Sequence, residues 1–264
     1  MKAPCPPRIA GFVILFFLLA GGASWTAGAQ NVRGADTFTA RLEAALLAAG
    51  VPGTFGARIK SDPAFPAALS KILAGDPYLR ILVDKTHPLP GSYEPSGLVP
   101  LTNKSYRLGI ADTMLLWKTA EEALEEMAFA AKAEGVDLIV SSAYRSYEYQ
   151  IGSFDRWSRR LGPVEAEKIS ARPGKSQHQL GLVVDFGSIT NEFAETRAGR
   201  WVNANAPRFG WSLSYPSGYE NITGYSWESW HFRYVGKPLA GFIDDYFGGL
   251  QHYALTFLYA WERR

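Results

Sequence analysis

Between residues 112 and 134 apolar side chains recur every three or four positions, at Met114, Trp117, Ala120, Leu124, Met127 and Ala131, with polar residues between. That spacing predicts an amphipathic helix over Asp112 to Glu134, with Asp112 as N-cap and Gly135 as the residue after its end. Thr37 to Ala49 repeats the pattern at Phe38, Leu42, Ala45 and Leu46, and Val51-Pro52-Gly53 ends it. Pro66 to Leu73 reads as a short helix with its proline in the first turn. Continuous apolar runs predict strands at Arg80–Asp84, Val136–Val140 and Leu182–Phe186, and two later ones at Trp211–Ser214 and Trp230–Val235. Helical patterns return at 147–161, at 163–171, at 193–205 and in the aromatic-rich stretch 239–261. His87-Pro88-Leu89-Pro90 and Tyr93-Glu94-Pro95 hold three prolines in eight residues, which imposes an extended segment. No internal repeat or interdomain linker interrupts the series. Separate helices with few strands predict an α+β fold: a small mixed or antiparallel sheet with helices packed on one side.

The first 29 residues stand outside this pattern. Lys2 and Arg8 precede an uncharged apolar run from Ile9 to Ala23, and Ala27-Gly28-Ala29 follows. This predicts a signal peptide cleaved after Ala29 and a protein exported to the periplasm or the cell exterior. The alternative is an uncleaved N-terminal membrane anchor, although 15 apolar residues are short for a span. The expected organisation is signal peptide 1–29, helical extension 30–79, catalytic domain 80–238 and C-terminal helical segment 239–264, in a monomer.

With 47% hydrophobic and 20% charged residues the chain has the composition of a globular protein with an ample core. Removal of residues 1–29 leaves 25 basic and 25 acidic residues, and no basic stripe suggests a nucleic-acid partner. The one cysteine, Cys5, belongs to the leader. The remainder can therefore use neither a thiol nucleophile nor a cysteine metal site, and any metal must be held by His, Asp and Glu.

Four histidines remain, at 87, 178, 231 and 252, and two of them have an acidic neighbour at short spacing. His178 lies on a loop, Gly181 lets the chain turn, and Asp185 ends an apolar strand, so His178 and Asp185 can converge. His231 on a later strand is the best third ligand. Two histidines and a carboxylate suit zinc in a hydrolase, with one position left open for water. Glu228, three residues before His231, suits a general base. On a regular strand these two would face opposite sides, so a bulge or bend is expected near Ser229. Arg145 follows a buried-type strand and offers its fork of donors to an oxyanion or a carboxylate. Taken singly, each has a plainer reading as a turn, core or surface residue. His87 has no partner ligand nearby and reads as a turn or surface histidine. The aromatics Trp211, Tyr215, Trp227 and Trp230 read mainly as core, with some free to line a cleft.

The combined pattern Ser176-x-His178-x-x-Gly181-x-x-x-Asp185 and Glu228-x-x-His231 resembles the VanY-like D-alanyl-D-alanine carboxypeptidases. So do Ser142-Ala143-Tyr144-Arg145-Ser146-Tyr147-x-x-Gln150 and the lead-in Leu82-Val83-Asp84-Lys85-x-His87-Pro88-Leu89-Pro90 with Tyr93-x-Pro95. The resemblance covers about residues 80–236 and departs mildly at Val183 and Val184, where small residues are common. It implies the Hedgehog/DD-peptidase fold and Zn2+ on His178, Asp185 and His231. It implies Glu228 as base, Arg145 at the scissile carbonyl, and Gln150 and Ser176 near the substrate. The implied activity is removal of the terminal D-alanine from peptidoglycan stem peptides. L,D-carboxypeptidase or endopeptidase action on the same peptides, or a non-catalytic wall-peptide-binding module, are the alternatives.

Overall fold

The structure, a computed structural model, describes residues 25–109 and 113–263. It divides into units of residues 1–40 and 41–264. In chain order the helices and strands are α1 (Trp25–Ala48), α2 (Gly53–Ser61), α3 (Phe65–Ala74), β1 (Leu98–Pro100), β2 (Arg107–Leu108), β3 (Leu115–Trp117), α4 (Lys118–Ala133) and β4 (Ile139–Ser142). Then come α5 (Tyr147–Leu161), α6 (Pro163–Ile169), β5 (Val183–Phe186), α7 (Arg197–Asn205), β6 (Trp211–Leu213), α8 (Glu220–Thr223), β7 (His231–Tyr234), α9 (Lys237–Phe247) and α10 (Gln251–Glu262). The apolar run expected as a leader lies outside the described residues; Ala27 to Ala29 lie within α1. No helix of the described residues is long and apolar enough to cross a membrane.

The central sheet has five strands in the order β2-β4-β5-β7-β6. It is mixed: β2 runs parallel to β4, and all other pairs are antiparallel. Alternation along the strands sorts side chains by face. Val140, Val184, Phe186, Phe232 and Tyr234 join Ala120, Leu124, Met127, Ala128 and Ala131 of α4 in one buried core. The apolar stripe of α4 therefore meets the apolar face of the sheet. Val183 and Val184 are both fully buried, so the departure from small residues there is absorbed by packing.

A second, aromatic cluster joins distant parts of the chain. Phe65 of α3 packs its ring against Tyr246 (4.9 Å), Phe242 (5.7 Å) and Phe257 (5.9 Å) of α9 and α10. Nearby, the buried Arg80 guanidinium donates to Glu262 (2.7 Å) and to the carbonyls of Ile72 and Gly75.

Several expected elements are corrected. Residues 80–84 form no strand; a 3-10 turn at Pro77–Arg80 leads into a loop. There the Asp84 carboxylate accepts from the main-chain N–H groups of Thr86 and His87, and this side-chain turn competes with extended pairing. The long helix starts at Lys118 rather than 112, because Leu115–Trp117 pairs with Leu98–Pro100 as a two-stranded ribbon. The proposed cap Asp112 lies outside the described residues. The strand expected at 136–140 runs instead over Ile139–Ser142, where Val140 and Ser142 pair with Phe186 and Asp185. The helix expected over 193–205 is broken at Thr196, whose hydroxyl accepts from Gly199 N and starts α7 anew.

Candidate metal centre and active site

Sheet alternation that sends Val184, Phe186, Phe232 and Tyr234 into the core leaves Asp185 and His231 on the opposite face. Register then makes Asp185 and His231 direct cross-strand partners. His178 arrives from the 3-10 turn Gln177–Leu180, which the Ser176 hydroxyl caps by accepting from His178 N (3.3 Å). Gly181 closes that turn in the left-handed region at φ +67° and leads the chain into β5.

The three side chains meet at one place. His178 Nε2 is 3.3 Å from Asp185 Oδ2, and His231 Nδ1 is 3.2 Å from Asp185 Oδ1. All three ligand atoms lie within 4.8 Å of one another. A tetrahedral zinc with arms of about 2.0–2.1 Å separates its ligands by about 3.3 Å, so the donor set fits zinc in kind, and each histidine stands at that separation from one oxygen of Asp185. Buried His178 Nε2 and Asp185 Oδ1 make no hydrogen bond, so each keeps a lone pair to offer a metal. His178 Nδ1 donates to the Ala143 carbonyl (2.6 Å), and that carbonyl can only accept. The proton is thus held on Nδ1 and Nε2 is free to ligate.

Charge is distributed unevenly across the trio. Burial and the Arg145 cation push His178 down to about 4, beyond what the Asp185 carboxylate restores. Burial also opposes charge on His231, but the carboxylates of Asp185 and Glu228 raise it to about 9. Asp185 resists ionisation by burial, yet the two imidazoles hold its carboxyl well below the usual carboxylate range. Without a metal, a proton on His231 balances the Asp185 carboxylate.

Glu228 is not on the strand. Residues 229 and 230 form a turn in which His231 N donates to Glu228 O (3.3 Å), and β7 begins only at His231. The expected irregularity near Ser229 is present in this form, and it brings Glu228 Oε2 within 3.2 Å of His231 Nδ1. Asn191 holds the turn from both ends: its Nδ2 donates to Trp227 O and its Oδ1 accepts from Ser229 N. Sequence reading missed Asn191, whose partners are main-chain atoms 36 and 38 residues away.

Arg145 reaches the trio through Nη2, which donates to Asp185 Oδ2 (3.1 Å), while its Nε has no hydrogen-bond partner. Gln150 lies near the centre but is tied by Nε2 to Ala171 O (2.7 Å), with its Oε1 unpartnered. Tyr215 packs its ring 4.8 Å from that of His231, and burial raises its phenol well above the ordinary value, so it stays protonated. Trp211 is core, as expected. His87 is engaged in its own turn with Asp84 (2.9 Å), away from the metal-ligating group.

A cleft of about 520 Å³ opens beside the centre. Arg145, Asp185 and Glu228 line it together with Tyr149, Trp157, Ile169, Ile189, Trp227 and Trp230. Ser141, Ser142, Ser153, Ser170, Ser226 and Asn191 add polar groups. The side chains that could bind, polarise and deprotonate thus share one apolar-walled groove that suits an extended ligand.

Comparison with known proteins agrees with this geometry. Residues 113–237 match the family profile VanY, D-alanyl-D-alanine carboxypeptidase. A putative carboxypeptidase of Bacillus subtilis, YodJ, is 42% identical over 171 residues, covering 62% of this chain and 62% of its own length. The chain thus spans about three fifths of that relative. The bifunctional D-Ala-D-Ala dipeptidase and carboxypeptidase VanXYC of Enterococcus gallinarum is 30% identical over 60% of this chain and 83% of its own. Among solved structures, the LdcB LD-carboxypeptidase matches with TM-score 0.58 and 37% identity, over 64% of this chain and 85% of its own. A mutant vancomycin-resistance D,D-pentapeptidase VanY in complex with Zn(II) matches with TM-score 0.55 and 33% identity, over 66% and 96%.

Proposed function

The chain belongs to the VanY family of D-alanyl-D-alanine carboxypeptidases, and from that membership we propose that it is a zinc carboxypeptidase that removes the terminal D-alanine from peptidoglycan stem peptides. The observation that carries this reading is the convergence of His178, Asp185 and His231, each histidine within 3.3 Å of an Asp185 oxygen, with Glu228 beside them on the wall of the cleft. Zinc held by these three would supply a Lewis acid for the scissile carbonyl and lower the pKa of water to about 7.

The chain's own residues do the rest. Glu228 takes a proton from the attacking water and passes it to the leaving amine. Arg145, whose side chain lines the cleft, donates to the oxyanion that develops on the carbonyl oxygen. Gln150 and Ser176 line the small cavity beside the ligands and are assigned to the substrate-proximal wall. In Ser176 the hydroxyl also caps the His178 turn, so that residue serves the ligand as well.

The peptidase domain is assigned to residues 80–238, with 30–79 and 239–264 as helical additions. The substrate lies outside the cytoplasmic membrane, so we assign the chain an exported location, with residues 1–29 as its signal and a monomeric state. N-terminal sequencing of the protein from the cell envelope tests the cleavage after Ala29.

The decisive variant is Glu228→Gln. It should retain zinc and lose roughly 10²–10⁴-fold in turnover. Loss of the metal, or undiminished turnover, would show that Glu228 has another role. Similarity to LdcB favours a second reading, L,D-carboxypeptidase action on the tetrapeptide. Stem penta- and tetrapeptides separate the two: D-alanine released from the tetrapeptide alone would replace the D,D assignment.

A further inference from the structure

The two metal-ligating histidines are oriented in different ways. His178 leans directly on a main-chain carbonyl, that of Ala143. His231 has no such partner; its Nε2 lies 3.4 Å from the side-chain oxygen of Gln177. A glutamine amide can turn either end toward an imidazole, so something must fix which end Gln177 presents.

That something is a residue of α10. Gln251 is 1% exposed, and its Nε2 donates to the main-chain carbonyl of Ser212 (3.2 Å). A carbonyl only accepts, so the NH2 end of Gln251 must face Ser212 and its Oε1 must face Gln177. Gln177 then presents its own NH2 to Gln251 Oε1 (3.4 Å), which turns Gln177 Oε1 toward His231. The Ser214 hydroxyl can serve either end of an amide, and with Gln177 so fixed it donates to the same Gln177 oxygen (2.8 Å). The acceptor facing His231 Nε2 requires a proton there. Nδ1, the atom 3.2 Å from Asp185, is left as the ligating nitrogen.

We propose that Gln177 and Gln251 are positioning residues that polarise a buried amide relay from the Ser212 carbonyl to His231, and so select its Nδ1 as the metal ligand. Gln251 lies beyond residues 113–237, the stretch that matches the family. The C-terminal helical segment therefore takes part in the metal centre. The inference rests on the zinc reading above.

Zinc affinity of the purified full chain, measured by competition with a chromophoric chelator, tests it without recourse to activity. Gln251→Leu removes the acceptor that orients Gln177 and should weaken zinc about tenfold, the lower end of outer-shell effects. Gln251→Glu should restore affinity: buried and protonated, its acid donates to Ser212 O and still accepts from Gln177. A Leu variant with wild-type affinity, or a Glu variant as weak as the Leu one, overturns the relay.

A measurement on the wild type needs no variant to fold. In long-range 1H–15N spectra of the zinc-loaded protein, His231 should carry its proton on Nε2; a proton on Nδ1 overturns the proposal. Failure of the wild type to bind zinc would sink the zinc reading and the relay with it. Tight wild-type binding that is indifferent to Gln251→Leu would sink the relay alone.

Discussion

Gly181→Ala isolates the turn that joins the first two ligands. The residue sits at φ +67°, where a Cβ costs about 1–2 kcal/mol in an L-residue. That Cβ would also stand 2.7 Å from Leu98 Cδ2 and 3.3 Å from Pro95 Cγ. The Leu98 methyl group ends a flexible side chain and can give way; the proline ring cannot, so overpacking adds about 1 kcal/mol. Reduced freedom of the unfolded chain offsets about 0.4–1 kcal/mol. The net loss is about 2 kcal/mol, or about 4–8 °C in Tm for a domain of this size. Urea unfolding of the metal-free protein measures it. Zinc affinity should fall as well, because Gly181 N holds the carbonyl of His178 (3.0 Å) and the turn sets that ligand's position. Gly181→Ala combined with Pro95→Ala should recover the packing share of the interaction and none of the dihedral share. A single variant that unfolds at the wild-type urea concentration would refute the account of why glycine stands there.

The two histidines also set a pH profile. His178, held at about 4 against an ordinary 6.5, loses stability for the metal-free fold as pH falls through that window, because the unfolded chain takes up the proton first. His231, raised to about 9, contributes stability that is fully present below 6.5 and lost as pH rises through 9. Melts with a chelator present should therefore peak near pH 6.5, and a profile rising steadily to pH 9 would contradict the His231 assignment. Zinc must displace the His231 proton, so its affinity should climb between pH 6.5 and 9, with proton release visible by calorimetry in two buffers. Phe65→Ala, which empties the centre of the aromatic cluster, should cost about 3–5 kcal/mol in urea unfolding. A loss below 1 kcal/mol would mean that α3 is a dispensable attachment.

What was legible in the sequence were the residues whose chemistry is local. Donor type and short spacing pair His178 with Asp185 and Glu228 with His231, the family resemblance joins the two pairs into one site, and the strand phase between Glu228 and His231 exposes the need for a turn. Helix Tyr147–Leu161 follows from its periodicity alone. The errors have a common cause in pairing and capping that the periodic pattern does not carry. Leu115–Trp117 continues the apolar rhythm of the helix after it, yet the ribbon with Leu98–Pro100 claims it. Residues 80–84 read as a strand until the Asp84 side chain occupies the N–H groups that a ladder would use. Asn191, Gln177 and Gln251 were invisible because a neutral amide has no signature of its own. Their orientation depends on atoms between 36 and 74 residues away.

The ring cluster at Phe65 ties residues near position 65 to residues near 242 and 257. Contacts separated by about 180–190 positions close very long loops, and such closure slows folding. Helices α2 and α3, of 9 and 10 residues, are too short to be stable in isolation and pack on α9. The ligand-bearing strands lie in the interval between them. Assembly of the centre is thereby linked in time to the meeting of two distant stretches of chain, and a break anywhere in that clasp delays it.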